Sequence, residues 1–151
     1  MNITPYIRKA QYYETDQMGI IHHSNYIRWF EEARVDFMEQ IGYGYEQATA
    51  AGIDFAVLAV ACEYKSMVRF GDTVKISIEV PDFTAMKMTL KYKVVDIKSS
   101  EIRATGESRH CYYHSQRKRP VSLKKELPEL FELFYHLYEV SVPGTHGRRQ
   151  F

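Results

Sequence analysis

Neither charge sign is in excess in this chain of 151 residues, where 20 Lys and Arg stand against 19 Asp and Glu. Recognition of nucleic acid or of an anionic membrane needs a basic surplus or stripe, so the composition points to neither partner. Cysteine is scarce: Cys62 and Cys111 are the only two. Each lies in an apolar, strand-like run with no base beside it in sequence, which argues for buried free thiols over a disulfide framework or a cysteine nucleophile. Long hydrophobic runs are missing too. No segment approaches the roughly 20 apolar residues of a membrane span, and a start containing Pro5, Arg8 and Lys9 lacks the apolar centre of a signal peptide. A soluble, cytoplasmic protein is therefore expected. With no repeat and no low-complexity tract, residues 1–142 read as a single domain and residues 143–151 as a flexible tail.

Chemistry-bearing residues concentrate between Tyr12 and Tyr26. Asp16 sits in a polar turn after the alternating segment Ile3 to Tyr13, and Gly19 permits a backbone turn that a Cβ would resist. A helix can begin near Ser24 or Asn25, both good N-cap residues. The first amides of such a helix carry partial positive charge and can hold an oxyanion or a polarised carbonyl oxygen. An acid and an oxyanion site would then be neighbours, although a polar turn before a capped helix also serves as a plain connection. His22 and His23 are adjacent and so poorly placed to converge on one metal, and no Cys or carboxylate falls at zinc-like spacing nearby; neither a metal nor a cofactor is expected.

Periodicity organises the remainder. Trp29, Phe30, Ala33, Phe37 and Ile41 recur at helical spacing, with Arg28, Glu31, Glu32, Asp36 and Glu39 on the other side, which predicts one long amphipathic helix stopped at Gly42 and Gly44. A short helix over Tyr45 to Ala51 follows. The nearly continuous apolar run Ile53 to Tyr64 predicts a strand buried on both faces. After a Gly71-Asp72 turn, Val74, Ile76, Ile78 and Val80 alternate with polar residues until Pro81-Asp82. Met86, Met88, Leu90, Tyr92 and Val94 form another alternating face, closed by a turn at Lys98-Ser99-Ser100. Glu101 to Ser115 predicts a last strand with Ile102, Ala104, Gly106, Ser108 and His110 on one face, and Leu127, Leu130, Phe131, Phe134 and Tyr138 predict a closing helix. A strand, a long helix and a run of strands able to form hairpins favour an α+β fold, one antiparallel sheet packed on a largely buried helix.

These residues carry a resemblance. The pattern T-D-x-x-G-x-x-x-H-x-N-Y over Thr15 to Tyr26, then Arg34, Arg69-Phe70-Gly71-Asp72 and Arg119-Pro120-Val121 in that order, resembles the hotdog-fold acyl-CoA thioesterases, and among them the 4-hydroxybenzoyl-CoA thioesterase-like family. The resemblance spans roughly Tyr6 to Leu130. It implies an antiparallel sheet wrapped around a long central helix, sheets of two chains paired side by side, an active site at that interface, and a homodimer or homotetramer. It places the catalytic carboxylate on Asp16, the carbonyl-polarising amide on His23, and supporting side chains on His23 and Tyr12, while the residues alone leave open the alternatives of a backbone role only for His23 and a buried strand aromatic at Tyr12.

Hydrolysis of an acyl-CoA thioester passes through a tetrahedral intermediate whose oxygen gains charge, which suits an amide donor, while the carboxylate attacks the carbonyl or activates water. Lys65, Arg69, Arg117 and Arg119 are candidates for a basic rim that binds CoA, and each equally reads as a solvated surface charge. Acyl-carrier protein could replace CoA as the acyl donor. Two rivals stay open: a hotdog enoyl-thioester hydratase or dehydratase using Asp16 with His22 or His23, and a non-catalytic module binding acyl-thioesters or acyl-carrier protein.

Overall fold

In the computed structural model, which describes residues 2–141, the chain runs β1 (Tyr6–Lys9), a 3₁₀ turn (Tyr12–Glu14), α1 (Ser24–Gln40), α2 (Tyr45–Ala50), β2 (Ile53–Tyr64), β3 (Thr73–Phe83), β4 (Lys87–Asp96), β5 (Ile102–His114), β6 (Arg119–Pro120), α3 (Leu123–Glu126) and α4 (Pro128–Ser141). The tail expected to be flexible lies outside the described residues. The strands form one antiparallel sheet in the order β1-β3-β4-β5-β2, with β6 added to β5. Together they make the α+β hotdog arrangement, a curled sheet around a helix. Among the described residues no helix is long and apolar enough to cross a membrane.

Alternation decides which face of the sheet meets α1. Val74 and Ile76 of β3, Leu90, Tyr92 and Val94 of β4, and Ala104, Ser108 and His110 of β5 are all buried, while the lysines between them on β4 are exposed. Against that face α1 lays Trp29, Phe30, Ala33 and Phe37, also buried. Each large side chain so enclosed contributes roughly 1.5–3 kcal/mol. Phe30 stacks on Tyr92 with ring centroids 4.3 Å apart. Opposite the same ring stands Gly106, where an added Cβ would lie 2.3 Å from a Phe30 ring carbon. Glycine is thus required in the strand for the helix to approach. Phe131 and Phe134 of α4 close the end of the core, packing on Phe83, with Phe134 also against Phe37 and Phe55.

Several elements depart from the sequence expectation. β2 is not buried on both faces: it is a sheet edge paired, among the described residues, with β5 alone, and Val57, Leu58, Val60 and Tyr64 are exposed. An apolar run records that a surface avoids water, and not whether its cover comes from the same chain. The alternating start yields only a four-residue strand before the 3₁₀ turn, because Tyr6 to Lys9 alone have β3 beside them. β3 continues through Pro81-Asp82 to Phe83, with a register irregularity between Glu79 and Asp82 that accommodates the proline's missing N–H. The stop of α1 uses Gly42 at φ +81°, whereas Gly44 is extended and begins α2. At the other end Ser24 and Asn25 lie inside α1, and His23 is the N-cap, in helical conformation.

Candidate active site

Local structure around the opening motif is built on Glu14, which is only 3% exposed. Its carboxylate accepts hydrogen bonds from Arg8 Nη2 (3.0 Å), Trp29 Nε1 (2.8 Å) and the Gln11 amide (2.8 Å). Its carbonyl accepts the His22 amide (2.8 Å) and Asn25 Nδ2 (2.9 Å). One residue therefore ties β1, the 3₁₀ turn and the start of α1 together. Glu14 lies outside the residues expected from sequence to matter; its signal is the Gln11-x-x-Glu14 spacing of a reciprocal cap, masked by Gln in place of Ser or Thr.

Asp16 follows as the first residue of a tight turn. Its N–H donates to the Ile20 carbonyl (2.9 Å), and its carbonyl accepts the Gly19 amide (3.0 Å). Gly19 has φ +75°, a conformation that side chains resist. Oδ1 accepts the Met18 amide at 2.8 Å. Among the described residues Oδ2 has no hydrogen-bond partner, so this half-buried carboxylate is oriented through one oxygen and free at the other.

The start of α1 selects a single amide. Ser24 N–H donates to His22 Nδ1 (3.2 Å), and Asn25 and Tyr26 N–H donate to the His22 and His23 carbonyls (3.0 and 3.3 Å). The His23 N–H has no acceptor among the described residues, and it stands at the positive end of a helix of 17 residues. Tyr64, at the end of β2, donates its hydroxyl to the His23 carbonyl (3.1 Å) and fixes the helix start against the sheet edge. Desolvation, with Cys62 beside it, pushes the Tyr64 phenol up to about 12, so it stays a donor at neutral pH. The His22 and His23 rings stack on each other, centroids 4.1 Å apart.

Asp16, His23, Tyr26, Tyr64, Lys65 and Met67 all line one cleft of about 310 Å³. It brings together the expected carboxylate, the expected amide donor and one expected cation. Tyr12 is not among its lining residues: it is 76% exposed in the 3₁₀ turn and meets Phe70 edge to face at 5.7 Å, which corrects the alternative of a buried strand aromatic. Arg69 is exposed, its backbone bridged to Ile20 at the cleft. Arg117, paired with Glu126, and Arg119 lie elsewhere. Tyr64 is registered with Ala104, while Ile53 and Arg119 are registered with His114, so the two arginines stand at the far end of β5, roughly 30 Å along it at about 3.3 Å per residue.

With this geometry in view, the comparisons are specific. The family model described as the thioesterase-like superfamily matches residues 11–131. A crystal structure of a DHNA-CoA thioesterase from Staphylococcus aureus superposes with a TM-score of 0.86 at 26% identity, covering 91% of each chain. A hypothetical protein from Aquifex aeolicus gives a TM-score of 0.77 at 32% identity, over 83% of this chain and 97% of that one. Acyl-CoA thioester hydrolase YbgC of Escherichia coli O6:H1 is 21% identical over 92 residues, 61% of this chain and 69% of YbgC.

Proposed function

The chain belongs to the thioesterase-like superfamily and is a thioesterase; on that premise we propose that it hydrolyses an acyl-CoA thioester to free CoA and a carboxylic acid, with Asp16 as the catalytic carboxylate. One observation carries this reading: Asp16, with one carboxylate oxygen uncommitted, and His23, with its amide unpaired among the described residues, line the same cleft. The thioester oxygen accepts the His23 N–H, which draws electron density from the carbonyl carbon. Asp16 then attacks that carbon to give a mixed anhydride that water opens, or takes a proton from a water that attacks it. Either route expels the CoA thiolate, which must gain a proton. The His23 side chain, at the N-cap of α1, belongs to a residue that lines the same cleft and is a candidate to supply it.

The exposed apolar edge of β2 supports a homodimer. A strand of 12 residues with open backbone groups and with Leu58 52% exposed is an interface left uncovered within one chain. Antiparallel pairing of β2 with its own copy would set the Tyr64 end of one chain beside the Ile53 end of the other. The partner's Arg117 and the partner's Arg119 would then approach the cleft, where Lys65 and Arg69 already form a rim for the CoA phosphates. The names of the S. aureus thioesterase and of YbgC favour CoA as the acyl carrier.

Thiol release from a panel of acyl- and aryl-CoA substrates, measured for wild type and Asp16→Asn, tests the assignment. Loss of about 100- to 10,000-fold in kcat is expected for the variant. Full activity in Asp16→Asn would remove Asp16 from the chemistry, and hydration of crotonyl-CoA without thiol release would identify a hydratase instead.

A further inference from the structure

A second polar assembly lies inside the core, away from the cleft. Arg34 Nη1 donates to the Tyr92 hydroxyl (3.0 Å), Tyr92 and Ser108 share a hydrogen bond, and Ser108 Oγ is 2.7 Å from His110 Nε2. Arginine can only donate, so the direction propagates. Tyr92 accepts from Arg34 and, among the described residues, has Ser108 Oγ as the one acceptor for its own proton; Ser108 then turns its proton onto His110 Nε2. His110 is thereby set as the Nδ1–H tautomer. That Nδ1 is buried in a side chain 1% exposed and has no partner among the described residues.

The residue that carries this unpaired donor lines a cavity. His110 and Arg34 line a space of about 10 Å³ walled by Phe37, Phe55, Met88 and Phe134. Arg34 has no carboxylate paired with it among the described residues; Tyr92 and Tyr45 are the groups that face its guanidinium. A space of roughly 10–15 Å³ admits one water-sized particle, provided polar groups hold it. Burial, with Arg34 nearby, holds the imidazole down to about 4, so at neutral pH the ring offers a single N–H.

We propose that this cavity is a built site for one hydrogen-bond acceptor of single-atom size, a water molecule or a halide ion, held by His110 Nδ1–H and the Arg34 guanidinium. The shared chemistry is acceptance from two donors whose residues line the cavity, one of them a guanidinium with no carboxylate partner among the described residues. The site is independent of the reaction assigned to Asp16.

Two measurements on the wild-type protein test it. Crystals grown in bromide, with data collected at the bromine absorption edge, should show one occupant at this position. An anomalous peak there identifies a halide and water-like density without one identifies water; an empty or collapsed cavity overturns the proposal. Histidine ¹⁵N correlation spectra should find His110 with Nδ1 protonated and Nε2 bare, and Ser108→Ala should abolish that preference. A wild-type His110 protonated at Nε2 overturns the relay, whatever the fate of the variant.

Discussion

Glu14 and Asp16 stand two positions apart and meet opposite surroundings. Glu14 is enclosed and takes three donors, from β1, from α1 and from the residue that precedes the 3₁₀ turn, so both carboxylate oxygens are engaged. Asp16 borders an open cleft and uses one oxygen, on an amide of its own turn. The difference teaches a division of labour within one loop. The first carboxylate holds the backbone so that the second can remain available, and reactivity appears where hydrogen bonding has been left incomplete.

If that division is correct, the two positions fail in different ways. Asp16→Ala should abolish turnover on the substrate panel, while its thermal midpoint stays near the wild-type value, because the carboxylate holds little else in place. Glu14→Ala should do the reverse in kind. Removing the Glu14 carboxylate leaves the buried Trp29 indole and the Gln11 amide without their acceptor and takes from Arg8 one of its two carboxylates, Glu32 remaining, and a loss of about 1–3 kcal/mol is expected in urea unfolding. A Glu14→Ala protein as stable as wild type would break the contrast.

His110 extends the comparison to a third enclosed polar group. Its folded value near 4 is below the ordinary 6.5, so between those pH values the unfolded chain binds the extra proton. Stability should therefore fall as pH drops from 6.5 towards 4, by up to roughly 3 kcal/mol from this group. His110→Asn should show a flatter profile in that window when unfolding is followed across pH. The smallest effect belongs to the cleft wall. Tyr64→Phe deletes one partly exposed bond to the His23 carbonyl, and a loss of about 0.5–1.5 kcal/mol with a few-fold drop in kcat is expected. An unchanged KM alongside would confine Tyr64 to placing the helix start.

Much of this arrangement was legible from residue order. The buried stripe of α1, the alternation of β3 and β4, the helical spacing near the end and the placing of Asp16 and His23 beside each other follow from patterns of period 2 and 3.6 and from a compact motif. Glu14 was legible only in its local Gln11-x-x-Glu14 spacing, since its partners Arg8 and Trp29 come from elements six residues before it and 15 after. Gly106 was not legible, since its need for no side chain exists only because Phe30 arrives from another element.

By itself, then, the sequence determined what is short-range: which faces are apolar, where the chain turns, and that a carboxylate precedes a helix start. Tertiary structure decided what depends on groups far apart in the chain. It made the run Ile53 to Tyr64 an exposed edge in place of a buried strand, carried Arg117 and Arg119 away from the cleft that Lys65 borders, and closed Arg34, Tyr92, Ser108 and His110 into one relay. The physical reason is that periodicity reports a residue's preference for water or its absence, whereas hydrogen-bond partners and the source of a strand's cover are fixed only when distant segments meet.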